Sequence, residues 1–193
     1  VAFFLRHAFD TQDFAGVEIQ RLAAGLRMRA HQRMQRGSLV AIFGIQQHVF
    51  LALATVDIRA HAAFDALYRE LTEKHGLSRR PILEGLSRGG LYCFNWAANH
   101  TDQVGGILAD NAVLDFKSWP GGKGTGKGSP NDWKKLIQDY HFASEAEALA
   151  YKSNPVDNLA PLAKAKVPLY LLYADKDDVV PHAENSELVK QRY

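Results

Sequence analysis

The pentapeptide Gly85-Leu86-Ser87-Arg88-Gly89 constrains this chain more than any other stretch. Ahead of it runs Arg80-Pro81-Ile82-Leu83-Glu84, a short apolar segment suited to a buried strand, and behind it Gly90 to Ala98 reads as a helix. A G-x-S-x-G sequence set between a strand and a helix makes a sharp, strained turn with the serine hydroxyl exposed, the geometry of a nucleophile elbow. Gly85 and Gly89 let strand and helix approach closely around the turn. The competing reading is that Ser87 merely caps the helix that follows.

The flanks continue the same alternation. Ala60 to His75 carries Ala63, Leu67, Tyr68 and Leu71 at helical spacing, with Gly76 as its C-terminal stop. Gln103 to Ala109 reads as a strand followed by polar Asp110-Asn111. Asp132 to Tyr140 and Ser144 to Lys152 read as helices, with Asp132 and Ser144 near their N-termini, and Asn154-Pro155 breaks the pattern. Val167 to Tyr173 is a further apolar strand, and Glu184 to Tyr193 a closing helix. Strands separated by crossover helices make an α/β fold with a mainly parallel, doubly wound sheet.

The stretch Ala174-Asp175-Lys176-Asp177-Asp178-Val179-Val180-Pro181, directly after that strand, resembles the acid-bearing strand end of the α/β-hydrolase superfamily, G-x-x-D-x-x-V-P, with Ala174 in place of glycine. Together with the elbow it makes residues 60–193 similar to this superfamily, in its serine esterase, dienelactone-hydrolase or prolyl-oligopeptidase-like branches. The resemblance implies a Ser-His-Asp triad with Ser87 as nucleophile and Asp177 as acid, in the chain order Ser then Asp that this fold uses. Asp175 and Asp178 compete for the acid's place, since an acidic run in a loop is often simply solvated. The Arg88 backbone N–H, next after the nucleophile, is the implied oxyanion donor. The second donor is not assignable, because residues 1–59 do not match the fold's early strands. There no lysine occurs before Lys74, while arginine, histidine and glutamine crowd residues 27–47. Within that segment Ser38 to Ile45 and Val49 to Ile58 are apolar runs of strand length.

The base is the missing member. The family's histidine follows one more strand beyond the acid, and the chain ends in the helix that should precede that strand. The expectation is therefore a partial chain, incomplete at the C-terminus, close to inactive alone and with an unpaired sheet edge beyond the acid strand. His182, five residues after Asp177, is the substitute base within the chain. The resemblance implies a carboxylic esterase, carbohydrate acyl esters included, that needs no metal or organic cofactor. A peptidase of the same fold and an inactive hydrolase-like binding protein are the alternatives.

Composition narrows the partners. With 193 residues, 47% apolar content and a formal charge of +2, the chain can bury a sizeable core, and its charge argues against a nucleic-acid holder. No apolar run approaches the ~18 residues of a membrane span. The single cysteine, Cys93, lies on the elbow helix and reads as packed rather than reactive. Gly121 through Lys127 matches G-x-x-x-x-G-K, the front of a phosphate-binding loop, but Gly128 stands where serine or threonine should hold magnesium. No strand precedes it and Pro130 interrupts its exit, so residues 116–131 read as a flexible, positively charged excursion.

Overall fold

The computed structural model describes residues 3–4, 40–45, 48–53 and 60–193. Six strands form one sheet: β1 (Phe3–Phe4), β2 (Val40–Ile45), β3 (His48–Leu53), β4 (Ile82–Leu86), β5 (Gly106–Asp110) and β6 (Leu169–Leu172), in the order β1-β6-β5-β4-β3-β2. All neighbours are parallel except β2 and β3, which pair antiparallel from Val40↔Leu53 to Ile45↔His48. The edge beyond β6 is not open, as β1 lies parallel beside it with Phe3 opposite Tyr170.

Six helices are described, and the sequence periodicities give all but the short one at 160–164, with shifted ends. They are α1 (Ala60–Arg69), α2 (Gly89–Asn99), α3 (Pro130–Asp139), α4 (Glu145–Ala150), α5 (Ala160–Lys164) and α6 (Ser186–Arg192). A wider π-type turn, Glu70–Lys74, continues α1. It stops at Gly76, whose φ of 63° suits glycine, and Leu77 N–H closes on the Leu71 carbonyl at 3.1 Å. Ser144 is the N-cap of α4 and accepts the Glu147 N–H. Pro130 opens α3 rather than interrupting the chain, because a first-turn residue has no N–H bond to lose.

Burial along the central strands alternates. Leu83, Ile107, Ala109, Leu169 and Leu171 are buried, while Ile82, Glu84, Leu108, Asp110, Tyr170 and Leu172 on the opposite face are half-buried. The buried face packs against α2 through Cys93, Phe94, Trp96 and Ala97, joined by Phe64, Leu162 and Val189. Each large apolar side chain buried there contributes about 1.5–3 kcal/mol. Trp96 is the hub, stacked on Phe64 at 5.4 Å and on His100 at 4.3 Å, with its indole N–H donating to Asp65 at 2.7 Å.

A second cluster gathers over the C-terminal end of the sheet. Phe116 contacts Trp133, Tyr140, Phe142 and Tyr151 at centroid distances of 5.1–6.1 Å. These aromatics span residues 116–151, so the excursion at 116–131 is the opening part of a longer packed segment with its own core rather than a flexible loop. No helix among the described residues is long and apolar enough to cross a membrane.

Candidate active site

The strand register determines which loops meet. Leu86, Asp110 and Leu172 lie level on β4, β5 and β6, so the residues after them leave the same, C-terminal, edge of a parallel sheet. Open α/β sheets bind ligands at this edge. Ser87 leaves β4 and Asp177 lies in the loop leaving β6; the structure brings both to one edge, with only β5 between them.

Ser87 has φ = 50°, the left-handed region that L side chains rarely adopt. The turn is held from both sides. Ser87 N–H donates to the Asp110 carbonyl at 2.9 Å, extending the β4–β5 ladder by one residue, and the Ser87 carbonyl accepts Gly90 N–H at 3.1 Å and Val113 N–H at 2.8 Å. The helix starts without a side-chain cap, so Ser87 does not serve as one. Arg88 is the N-cap residue, and among the described residues its N–H meets no acceptor, as expected at a helix start.

The close approach at the elbow runs through Gly85 and Gly90. A Cβ on Gly85 would stand 3.0 Å from Gly90 Cα, and one on Gly90 would stand 2.7 Å from both the Ala112 side chain and the Val113 carbonyl oxygen. Gly90, outside the pentapeptide, is the position sequence reading overlooks.

The acid loop distinguishes its three aspartates. Asp177 Oδ1 accepts the N–H groups of Val179 and Val180, both at 2.9 Å, which folds the loop around a partly buried carboxylate. Asp175 and Asp178 are exposed, and Asp178 forms an ion pair with Lys127. Two asparagines to which the sequence reading gives no role tie the loop down. Asn111, at φ = 41°, accepts Ala174 N–H at 2.8 Å and so links the ends of β5 and β6. Asn185, fully buried, accepts Leu114 and Asp115 N–H groups and donates to Ser118 Oγ and the Pro181 carbonyl. An asparagine after a strand, where left-handed backbone is tolerated, is a readable signal for Asn111. Nothing local marks Asn185.

Five N–H groups of the glycine-rich loop already have acceptors within the protein. Four of them meet backbone carbonyls: Gly121 to Phe116, Gly122 to Ser118, Lys123 to Lys117, and Lys127 to the Asp178 carbonyl. Thr125 N–H and Oγ1 both donate to Glu184, and Gly126 packs on Pro181. Its lysines are neutralised by Glu145, 2.8 Å from Lys123, and by Asp178. The loop is thus a wall docked on the acid loop, and a shallow recess lies between them, lined by Thr125, Asp175–Asp178, Pro181 and His182.

The histidines are placed as follows. His182 stacks on Tyr173 at 4.9 Å and lines that recess, but its Nδ1 is shielded without a partner and no hydrogen bond joins it to Asp177 among the described residues. His100 caps the far end of α2, with Nδ1 2.9 Å from the Trp96 carbonyl. His141 is exposed on the packed excursion. His7, His31 and most of residues 1–59, where the second oxyanion donor was sought, lie outside the described residues. Ser87 and Asp177 are therefore brought to one edge, and no hydrogen bond joins either of them to His100, His141 or His182.

Carboxyls near the elbow carry shifted acidities. Burial raises Asp110 above the ordinary carboxylate range, and burial together with the Asp110 charge raises Glu84. Burial also pushes the Cys93 thiol far up, consistent with a packed, unreactive sulfur. No group of residues suited to hold a metal ion occurs among the described residues.

No protein-family model matches the chain, and no curated protein matches it. Among solved structures, a monoacylglycerol lipase from Paleococcus ferrophilus is similar at 16% identity and a TM-score of 0.42, over 71% of this chain and 61% of that one. The Pyrococcus furiosus esterase Pf2001 is similar at 16% identity and a TM-score of 0.47, over 75% of this chain and 56% of that one. The chain spans less than two thirds of the length of either.

Proposed function

We propose that this chain carries the nucleophile and the acid of a serine hydrolase of the α/β-hydrolase type, acting on a carboxylic ester by acyl transfer. The observation that supports this best is the left-handed backbone of Ser87 on the C-terminal edge of a parallel sheet. Strain of this kind persists only where its surroundings enforce it, and here it falls on a serine between a strand and a helix N-terminus.

In this reading Ser87 Oγ attacks the ester carbonyl carbon as its proton passes to a histidine, and the carbonyl oxygen takes up the negative charge. The Arg88 N–H, with no acceptor of its own among the described residues, donates to that oxygen. The tetrahedral adduct expels the alcohol, which recovers the proton from the imidazolium, and water then releases the acid by the same steps reversed. Asp177 orients the imidazole, with one carboxylate oxygen anchored by Val179 and Val180 and the other open to a partner. The base in this reading is a histidine other than those placed above, and His182 is the described alternative.

Covalent labelling by a fluorophosphonate tests the reading. The whole protein should be modified at Ser87, located by peptide mass spectrometry, and Ser87→Ala should remain unmodified. Equal modification of both would sink the assignment, and loss of labelling in His182→Ala would make His182 the base.

A further inference from the structure

The Arg88 side chain has no part in the oxyanion step, yet it is fixed at the rim of the site. Its guanidinium lies over the Trp119 ring at 5.6 Å and 3.6 Å from Asp132 Oδ1. Both contacts belong to the excursion after β5, which rises from the same sheet edge as Ser87. One peptide unit, about 3.8 Å, separates the Arg88 Cα from that of the nucleophile.

The nearby cations differ in how they are held. Lys123 and Lys127 are engaged by close carboxylates, and Lys176 stands exposed at the tip of the acid loop without an aromatic support. Arg88 is posed by Trp119, but its ion pair is long and both side chains are over a third exposed, at 39% and 38%. Pairs of that kind are weak, because water screens them. A substrate carboxylate can replace Asp132, since a guanidinium presents several donors in a planar fork and a closer, bidentate partner is favoured over a distant one.

We propose that Arg88 is a specificity-determining residue that selects esters bearing a second, anionic carboxylate a few bonds from the scissile carbonyl, with the Trp119 ring supporting the spacer between them. This rests on the hydrolase reading above. The backbone N–H survives any side-chain replacement, so selectivity and oxyanion stabilisation are separable.

Monoethyl glutarate and ethyl pentanoate share acyl length and differ in the terminal carboxylate. The whole protein should turn over the glutarate with the higher kcat/KM. Arg88→Leu should lower that value about 10- to 100-fold, the effect of losing a hydrogen bond to a charged group, and lower the value for ethyl pentanoate by a much smaller factor. Arg88→Lys should recover part of the loss, and Lys176→Met should change neither ester. Equal losses on both esters in Arg88→Leu, or loss of the preference in Lys176→Met instead, would overturn the proposal. Binding separates this from the hydrolase reading. By calorimetry, Ser87→Ala should bind monoethyl glutarate at least tenfold more tightly than Ser87→Ala/Arg88→Leu whether or not turnover occurs. Equal or unmeasurable binding would overturn the Arg88 role, whereas absent turnover and labelling with selective binding intact would overturn only the catalytic reading.

Discussion

The Ser87 carbonyl accepts the Val113 N–H at 2.8 Å, which fastens the elbow to the loop leaving the neighbouring strand. With the Ser87 N–H held by Asp110, both peptide groups around the serine are anchored, and this holds its φ at 50°.

That anchoring predicts opposed effects on stability and chemistry. Left-handed backbone costs a non-glycine residue about 1–2 kcal/mol, and glycine's larger unfolded-state entropy returns about 0.5–1 kcal/mol of that. Ser87→Gly should therefore gain about 0.5–1 kcal/mol of stability, read as a higher urea midpoint, while losing fluorophosphonate labelling. A lower midpoint would mean that Ser87 is not strained as found.

Gly90 should be less forgiving than its neighbours. The methyl of Gly90→Ala would meet the Val113 carbonyl oxygen and the Ala112 side chain at 2.7 Å, and the former is backbone that cannot swing away. Overpacking of this kind costs about 1–3 kcal/mol. By displacing Val113 it should also disturb the Ser87 turn. Chemical denaturation measures the first effect, and the labelling rate at Ser87 the second.

What is legible in the sequence is what is local. The sharp turn at Ser87 shows because strand, turn and helix are contiguous, and the loop carrying Asp177 because a short motif follows its strand directly. Gly76 and Ser144 work where their residue types predict, since capping is a matter of a few neighbouring residues. The excursion misleads for the converse reason. Its glycine and lysine content signals mobility, but its order comes from Phe116 meeting Tyr140 and Tyr151, and from Thr125 meeting Glu184, across long separations. Asn185 is illegible in the same way, since its partners Leu114, Ser118 and Pro181 are gathered only by the folded chain.

Of the three clustered aspartates, Asp177 accepts two loop N–H groups, those of Val179 and Val180, on one carboxylate oxygen. Asparagine retains an oxygen able to accept the same two N–H groups, so Asp177→Asn should fold normally. The rate should nonetheless fall by about 10⁴, as when a triad base loses its orienting carboxylate. Asp175→Asn and Asp178→Asn should each remain within a few-fold of the parent in ester hydrolysis by the whole protein. A large loss in Asp110→Asn instead would move the acid to the end of β5.

Glu84 and Asp110 make stability depend on pH in a direction their setting determines. Glu84 faces Leu108 across β4 and β5, and Leu86 faces Asp110, so the two carboxyls are diagonal neighbours on the half-buried side of the sheet. Burial raises both, and the Asp110 charge raises Glu84 further. Below the ordinary carboxylate range folded and unfolded chains are both protonated, and neither group alters stability with pH. As pH rises through that range the unfolded chain releases these protons first, so the native state binds more and its stability falls with increasing pH. The fall ends once the raised native groups have also ionised. Glu84→Gln removes its share of this slope, so the variant should gain on the parent as pH rises from strongly acidic toward neutral, and then hold a constant difference. Urea midpoints across that interval measure it, and a difference between the two proteins that does not change with pH would show that Glu84 is not shifted.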